Sequence, residues 1–264
     1  MNTKKRTSVI RIFTLMIIIS FLAMPSWARA LSLDEVRELA EKGNAPAQFT
    51  MGLFYEKGEE GMPKDIVEAR KWYEKAAAGG NVYARNRLAV MYYHGMAGLK
   101  KDVALAVDLF KESIAEDSDV AEYMLGMIYY HGAEGVEMDR AKALGLVKKA
   151  AVKGNAQAQD VLGVMYYNGE GGLKKDRAQA LRWYQQSADQ GFEGGLIHLS
   201  TMHYYGEGGL DVDKEKAVDL MKKAAEGGSE AALKILDRWS GGKKKEETVV
   251  IPLKKGKGPA PEAQ

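Results

Sequence analysis

Cysteine is absent from this 264-residue chain, which excludes disulfides, thiolate nucleophiles and Cys-ligated zinc together. A membrane-spanning run is missing as well. The apolar stretch Ile12 to Met24 covers 13 residues, short of the ~20 that a helix needs to cross a bilayer. Lys4, Lys5, Arg6 and Arg11 precede it, and Pro25 and Ala28-Arg29-Ala30 follow. That is the layout of a cleavable export signal. Residues 1–30 are therefore expected to be removed, giving a mature chain that starts at Leu31, lies in the periplasm or is secreted, and does not insert into the membrane. No cysteine follows to carry an acyl anchor.

Positive charge is also scarce where it would matter. The formal +2 includes five basic residues in 1–30, and residues 243–264 hold six lysines against three glutamates. Residues 31–242 are left at −6, which disfavours nucleic acid as a partner. Convergent chemistry is sparse too. Only four histidines are present. His94 and His131 occupy equivalent places one repeat apart, roughly 20 Å by the spacing of paired helix layers. His198 and His203 are five apart on a helix and do not face one another. No catalytic set, metal site or cofactor is expected.

What the chain has instead is a repeat. Leu88, Leu125, Leu162, Leu199 and Leu236 stand 37 residues apart, with Met51 one period earlier. The same step links Asp65, Asp102, Asp139, Asp176 and Asp213; Gly58, Gly95, Gly132, Gly169 and Gly206; and Ala69, Ala106, Ala143, Ala180 and Ala217. A period of this length marks a solenoid, whose units bury their apolar faces against one another.

The unit reads as two antiparallel helices. In residues 155–191, Ala158, Leu162, Gly163 and Tyr166 fall on one face of a 3.6-residue period, and Ala180, Leu181, Trp183, Tyr184 and Ala188 form the buried side of the second helix. Each repeated aspartate precedes a second helix, where its carboxylate caps the free N–H groups of the first turn. Asp65 with Glu68 has the spacing of a capping box. The small column Gly52, Ala89, Gly126, Gly163 and Ser200 implies close helix approach, since mid-helix glycine otherwise costs about 1 kcal/mol. The loop glycines around Gly169 and Gly206 read as turns, because no strand precedes them and no Lys-Ser or Lys-Thr follows.

Two aromatic columns behave differently. Tyr55, Tyr92, Tyr129 and Tyr166 lie on the core stripe, whereas Tyr93, Tyr130, Tyr167 and Tyr204 are rotated 100° towards the opposite face of the first helix. That face also carries Asn86, Arg87, Val90 and His94 in one unit, Tyr123, Met127 and His131 in the next, and Val164 and Asn168 in the one after. Two readings are open: these residues pack between layers, or they line a groove for a protein partner with Tyr93, Tyr130 and Tyr167 as central anchors.

The pattern Leu162-Gly163-x-x-Tyr166, Gly169-x-Gly171, Asp176, Ala180, Trp183-Tyr184, Ser187-Ala188 and Gly191 resembles the Sel-1-like repeat, a relative of the tetratricopeptide repeat. Met51-Gly52-x-x-Tyr55 with Trp72-Tyr73-x-Lys75-Ala76-Ala77 is similar, and the likeness runs from Ser32 to Trp239. Its weakest unit has Ala89 for glycine and Leu109-Phe110 for Trp-Tyr. The resemblance implies an all-α, right-handed solenoid of five helix-turn-helix repeats across residues 31–242; Ser32 to Gly43 and Ser229 to Trp239 read as lone capping helices at its two ends, making 12 helices in all. It also implies a protein-binding module, acting as an adaptor or regulator of an envelope protein, and the chain is expected to be non-enzymatic and monomeric. The alternatives are an immunity protein against a periplasm-targeted toxin and a cell-wall or β-lactam hydrolase. The β-lactam-binding branch of the family is cysteine-rich, and nothing transfers from it. The hydrolase reading would require a buried, close-set polar pair in the groove. Residues 243–264, with six lysines and three prolines, read as a disordered tail.

Overall fold

The computed structural model describes residues 31–240; the expected signal segment and the tail lie outside them. The described residues form twelve α-helices and no strand, in agreement with the count expected from the repeat. They are α1 (Leu33–Glu41), α2 (Ala45–Lys57), α3 (Ile66–Ala78), α4 (Val82–His94), α5 (Val103–Ala115), α6 (Asp119–His131), α7 (Arg140–Val152), α8 (Ala156–Asn168), α9 (Arg177–Asp189), α10 (Glu193–Tyr205), α11 (Lys214–Glu226) and α12 (Glu230–Ser240). Five pairs, α2/α3 to α10/α11, are the repeats, and each helix packs on the one before it and the one after it. The chain is thus an all-α solenoid.

All five repeated aspartates cap second helices. Asp102, Asp139, Asp176 and Asp213 accept the N–H of Leu105, Lys142, Gln179 and Lys216 at 2.9 Å, and Asp65 accepts those of Val67 and Glu68 at 2.9 and 3.0 Å. Each aspartate also staples the loop, donating its own N–H to the carbonyl ten residues earlier; ahead of α9, Asp176 donates to Tyr166 at 2.9 Å. The capping box expected at Asp65 does not form, because Glu68 pairs with Lys71 at 2.8 Å, one turn further along the helix. A capping box closes instead at α1, between Ser32 and Glu35. First helices are capped one residue ahead by Asn44, Asn81, Ser118 and Asn155, while Phe192 leaves α10 without a side-chain cap. Asp176→Ala is expected to lower stability by about 1 kcal/mol, as lost caps do, read as a fall in the denaturation midpoint with any binding activity intact.

The small column is where the two helices of a unit touch. A Cβ on Gly163 would stand 2.6 Å from the Tyr184 ring, and one on Gly52 would stand 2.3 Å from Tyr73. The large residue facing the small column is Tyr73, Phe110, Val147, Tyr184 or Met221, each buried. Ala89, the methyl that departs from glycine, shares an apolar cluster with Phe110, which lacks the tyrosine hydroxyl. The core is continuous from unit to unit: one cluster joins Met127 and Tyr130 of α6, Val147 and Ala150 of α7, and Leu162 and Met165 of α8.

Candidate functional site

Along the outward tyrosine column, successive layers are fastened by a repeated latch. The Tyr167 hydroxyl donates to Glu207 Oε1 at 3.1 Å, forty residues on. The guanidinium carbon of Arg177 lies 5.2 Å from the Tyr167 ring centre, and Arg177 Nη2 is 3.6 Å from the same glutamate oxygen. Tyr130 repeats this with Glu170 and Arg140. Burial first, and the bond to the carboxylate second, raise the pKa of both tyrosines, so both hydroxyls keep the proton they donate. Each latch joins the first and second helices of one unit to the loop of the next.

The column changes at both ends. Tyr204 lies stacked on Trp239 of α12, with ring centres 4.1 Å apart, and Lys214 replaces the arginine over its ring. At Tyr93 the latch is missing: the arginine position is Val103 and the glutamate position is Ala133. Tyr93 packs instead against the cluster of Val90, Val103 and Val107 and meets His94 edge-on at 4.9 Å. Its hydroxyl has no hydrogen-bond partner among the described residues. The loop that would bring the glutamate is built differently here, closing on an Ala133 to Val136 backbone pair.

The expected groove residues therefore divide. Arg87, Tyr93, His94, Tyr123, His131, Tyr167, Asn168 and Tyr204 are half-buried, whereas Asn86, Val90, Met127, Tyr130 and Val164 are buried. Tyr130 is only 6% exposed. The expectation of three equivalent anchors needs this correction: Tyr130 is committed to holding layers together, and its truncation would loosen the solenoid. Asn86 donates to Ser118 Oγ at 3.0 Å, and Val90, Met127 and Val164 lie in the inter-unit clusters. Arg87 sits 3.6 Å from Glu56, which occupies the tyrosine column's place in the first unit and also accepts the Tyr73 hydroxyl.

The face also holds a close polar pair. His198 Nδ1 and Asp160 Oδ1 are 2.6 Å apart, with side chains 15% and 7% exposed. The imidazole stacks on Tyr184 with ring centres 4.7 Å apart, and Gly194 and Phe192 wall the carboxylate. Ser187 and Ser200, the buried serines of this region, donate to the carbonyls of Ala156 and Ala217. Among the described residues no group of three or more His, Asp or Glu is placed to hold a metal ion. His203 is 6% exposed. It fills the core tyrosine position, where its carbonyl accepts the Asp213 N–H.

His131 and His203 both have pKa values below the ordinary 6.5, chiefly because burial disfavours the cation, with Arg140 and Lys216 acting in the same direction. The folded state then binds fewer protons than the unfolded chain just below pH 6.5. The stability these groups confer is complete above that value and is lost as pH falls through the window beneath it. The melting temperature should fall between pH 7.5 and 5.5, and His131→Gln/His203→Gln should flatten that fall. An equal fall in the double variant would refute the assignment.

A stack of capped helix pairs joined by side-chain latches, with one half-exposed aromatic face, defines a helical repeat scaffold. The family model for the Sel1 repeat matches residues 45–81, 82–118, 119–155, 156–192 and 195–229, and the chain belongs to the Sel1 repeat family. Repeats of this family are protein-interaction modules, typically without enzymatic activity. A Sel1 repeat protein from Oxalobacter formigenes is 31% identical, with a TM-score of 0.67 over 72% of this chain and 74% of its own. A protective antigen of uropathogenic Escherichia coli with an SLR fold is 36% identical, with a TM-score of 0.61 over 77% of this chain. The present chain spans 43% of that protein's length. An immunity protein from Pseudomonas aeruginosa shares the fold at 22% identity and a TM-score of 0.54, over 71% of this chain and 67% of its own. No curated protein matches the chain.

Proposed function

We propose that this protein is an exported adaptor or regulator that binds a segment of an envelope protein along the face formed by its first helices, centred on Tyr93, His94, Tyr123 and His131. The observation that carries the reading is the break in the latch at Tyr93. Every later tyrosine of the column is held by a carboxylate or covered by Trp239, while Tyr93 presents a ring and an unpaired hydroxyl. Tyrosine gives large contact area for little entropy and a hydroxyl that water satisfies when the site is empty. His131, kept neutral by burial and Arg140, adds a hydrogen-bonding group without charge. Export rests on the signal-like segment 1–30, and the family's role in protein binding supports the kind of partner.

The test is affinity capture from the cell envelope on the immobilised protein, comparing wild type with Tyr93→Ala/His131→Ala. The partner retained by wild type should be lost by the variant while its helical circular dichroism is unchanged. Retention by the variant would move the site elsewhere. Capture of a toxin as that partner would make the role immunity, the function named for the Pseudomonas aeruginosa protein.

A further inference from the structure

Between α5 and α7, over α6, lies an open trough of about 410 Å³. Ile114, Leu125, Tyr129 and Leu146 make its apolar floor and walls, and Lys111, Lys142 and Lys149 stand around it. The repeat itself shows what such a place holds. The residue equivalent to Leu146 is Trp72 in the first unit and Trp183 in the fourth. Trp183 packs against the cluster of Leu162, the counterpart of Leu125. Over Trp72 the ammonium of Lys75 lies 4.1 Å from the ring centre, and Lys149 is the counterpart of Lys75. The third unit thus keeps the lysine and lacks the indole. Leu109 and Leu220 also replace tryptophan, but only here is the preceding residue glycine; a Cβ on Gly145 would meet nothing within 4 Å.

Charge adds a second, independent observation. Helix α7 carries Arg140, Lys142, Lys148 and Lys149 and no acidic residue, on a repeat region whose net charge is −6. Lys111 and Lys142 are held by Asp108 and Asp139 one turn away, at 3.0 and 3.1 Å. Exposed pairs of that kind are weak and screened by water, so a partner's carboxylates can displace them. Lys142 also lies 5.5 Å from the Tyr129 ring centre, placing a cation beside the floor. An adjoining groove that shares Lys111, Tyr129 and Lys142 with the trough carries Asp108, Glu137 and Asp139, which orients an acidic ligand towards Lys148 and Lys149.

We propose that this trough is a second docking site, on the second helices, for an acidic segment of another protein that inserts a tryptophan or similar aromatic side chain between Leu146 and Ile114. The indole fills the space that Trp183 fills in the next unit, Lys149 covers its face by the cation–π contact that Lys75 makes with Trp72, and flanking carboxylates meet Lys111 and Lys148. Helix α6 contributes to both places, but Lys111, Ile114, Leu146 and Lys149 of the trough stand on α5 and α7, outside the face around Tyr93, so either can fail alone.

The probe is the peptide acetyl-Asp-Glu-Trp-Asp-Glu-amide with 5-fluorotryptophan, titrated with the full chain and followed by its fluorine NMR line. Saturable binding is expected, weakened at least tenfold by Leu146→Trp, which fills the trough with the residue the fold already accommodates at 72 and 183. Lys149→Glu, a surface change, should weaken it several-fold and reduce its salt dependence, and replacing the peptide's tryptophan by alanine should abolish it. Absence of saturable binding, or equal binding by folded Leu146→Trp, overturns the proposal. So does equal binding of acetyl-Lys-Lys-Trp-Lys-Lys-amide. Phosphatidylglycerol vesicles form the remaining arm: if they bind wild type, lose Leu146→Trp, and the acidic peptide does not bind, the trough is a lipid site and the proposal fails.

Discussion

Tyr184→Ala is expected to destabilise the protein by about 3–5 kcal/mol, the usual cost of removing a large buried ring. The ring is 3% exposed and closes over Gly163, which has no side chain to move into the vacated space. It also carries the stacked His198 and so helps to seat the pair with Asp160. Because each unit is stable only against its neighbours, the loss should spread to α8 and α10 and appear in hydrogen exchange as faster opening of the fourth and fifth units. Gly163→Ala alone should also destabilise the protein, since the clash at 2.6 Å costs about 1–3 kcal/mol against about 1 kcal/mol gained in helix propensity. In the Tyr184→Ala background the clash disappears and the same change should become stabilising. A cycle measured by urea denaturation checks this; additive effects would mean that glycine and ring do not constrain one another.

The second large effect is functional. Ala133→Glu places a carboxylate where Glu170 and Glu207 stand in the following units, within the loop that faces Tyr93. The Tyr93 hydroxyl should then be drawn into a latch and withdrawn from the partner. Partner affinity is expected to fall by about 1–3 kcal/mol, the range of a lost anchor, while thermal stability stays equal or rises. Isothermal titration with the captured partner reads the first and scanning calorimetry the second. Unchanged affinity in a variant whose new carboxylate does accept the Tyr93 hydroxyl would show that Tyr93 is not an anchor.

The repeat architecture was legible because four residue columns obey one period, and each column answers to a physical need: an aspartate to cap, a glycine to admit a ring, an alanine to let helices approach. Helix number and the role of every repeated aspartate could be read in that way. The site was legible only in part. Rotation by 100° identified which tyrosines leave the core stripe, but a helical wheel knows one helix, and the fate of Tyr130 is decided by Glu170 in another unit. The signal was present in the sequence: tyrosine, then arginine ten residues on and glutamate forty on, occurs at 130 and 167 and fails at 93. The pair Asp160 and His198 was missed for the same reason, since its members lie 38 residues apart and share no column. The trough was missed because it is made by what is absent, an indole at 146 and a side chain at 145.

Contact between a protein partner and the first-helix face around Tyr93 is the proposal on which the functional reading rests. It is tested most directly by a photo-activatable p-benzoylphenylalanine incorporated in living cells at position 93 and, separately, at Val67, an exposed residue on a second helix. One discrete cross-linked envelope protein is expected from position 93, suppressed by His131→Ala on the same face, and none from position 67. Equal cross-linking from both positions, or a product from 67 alone, would contradict it.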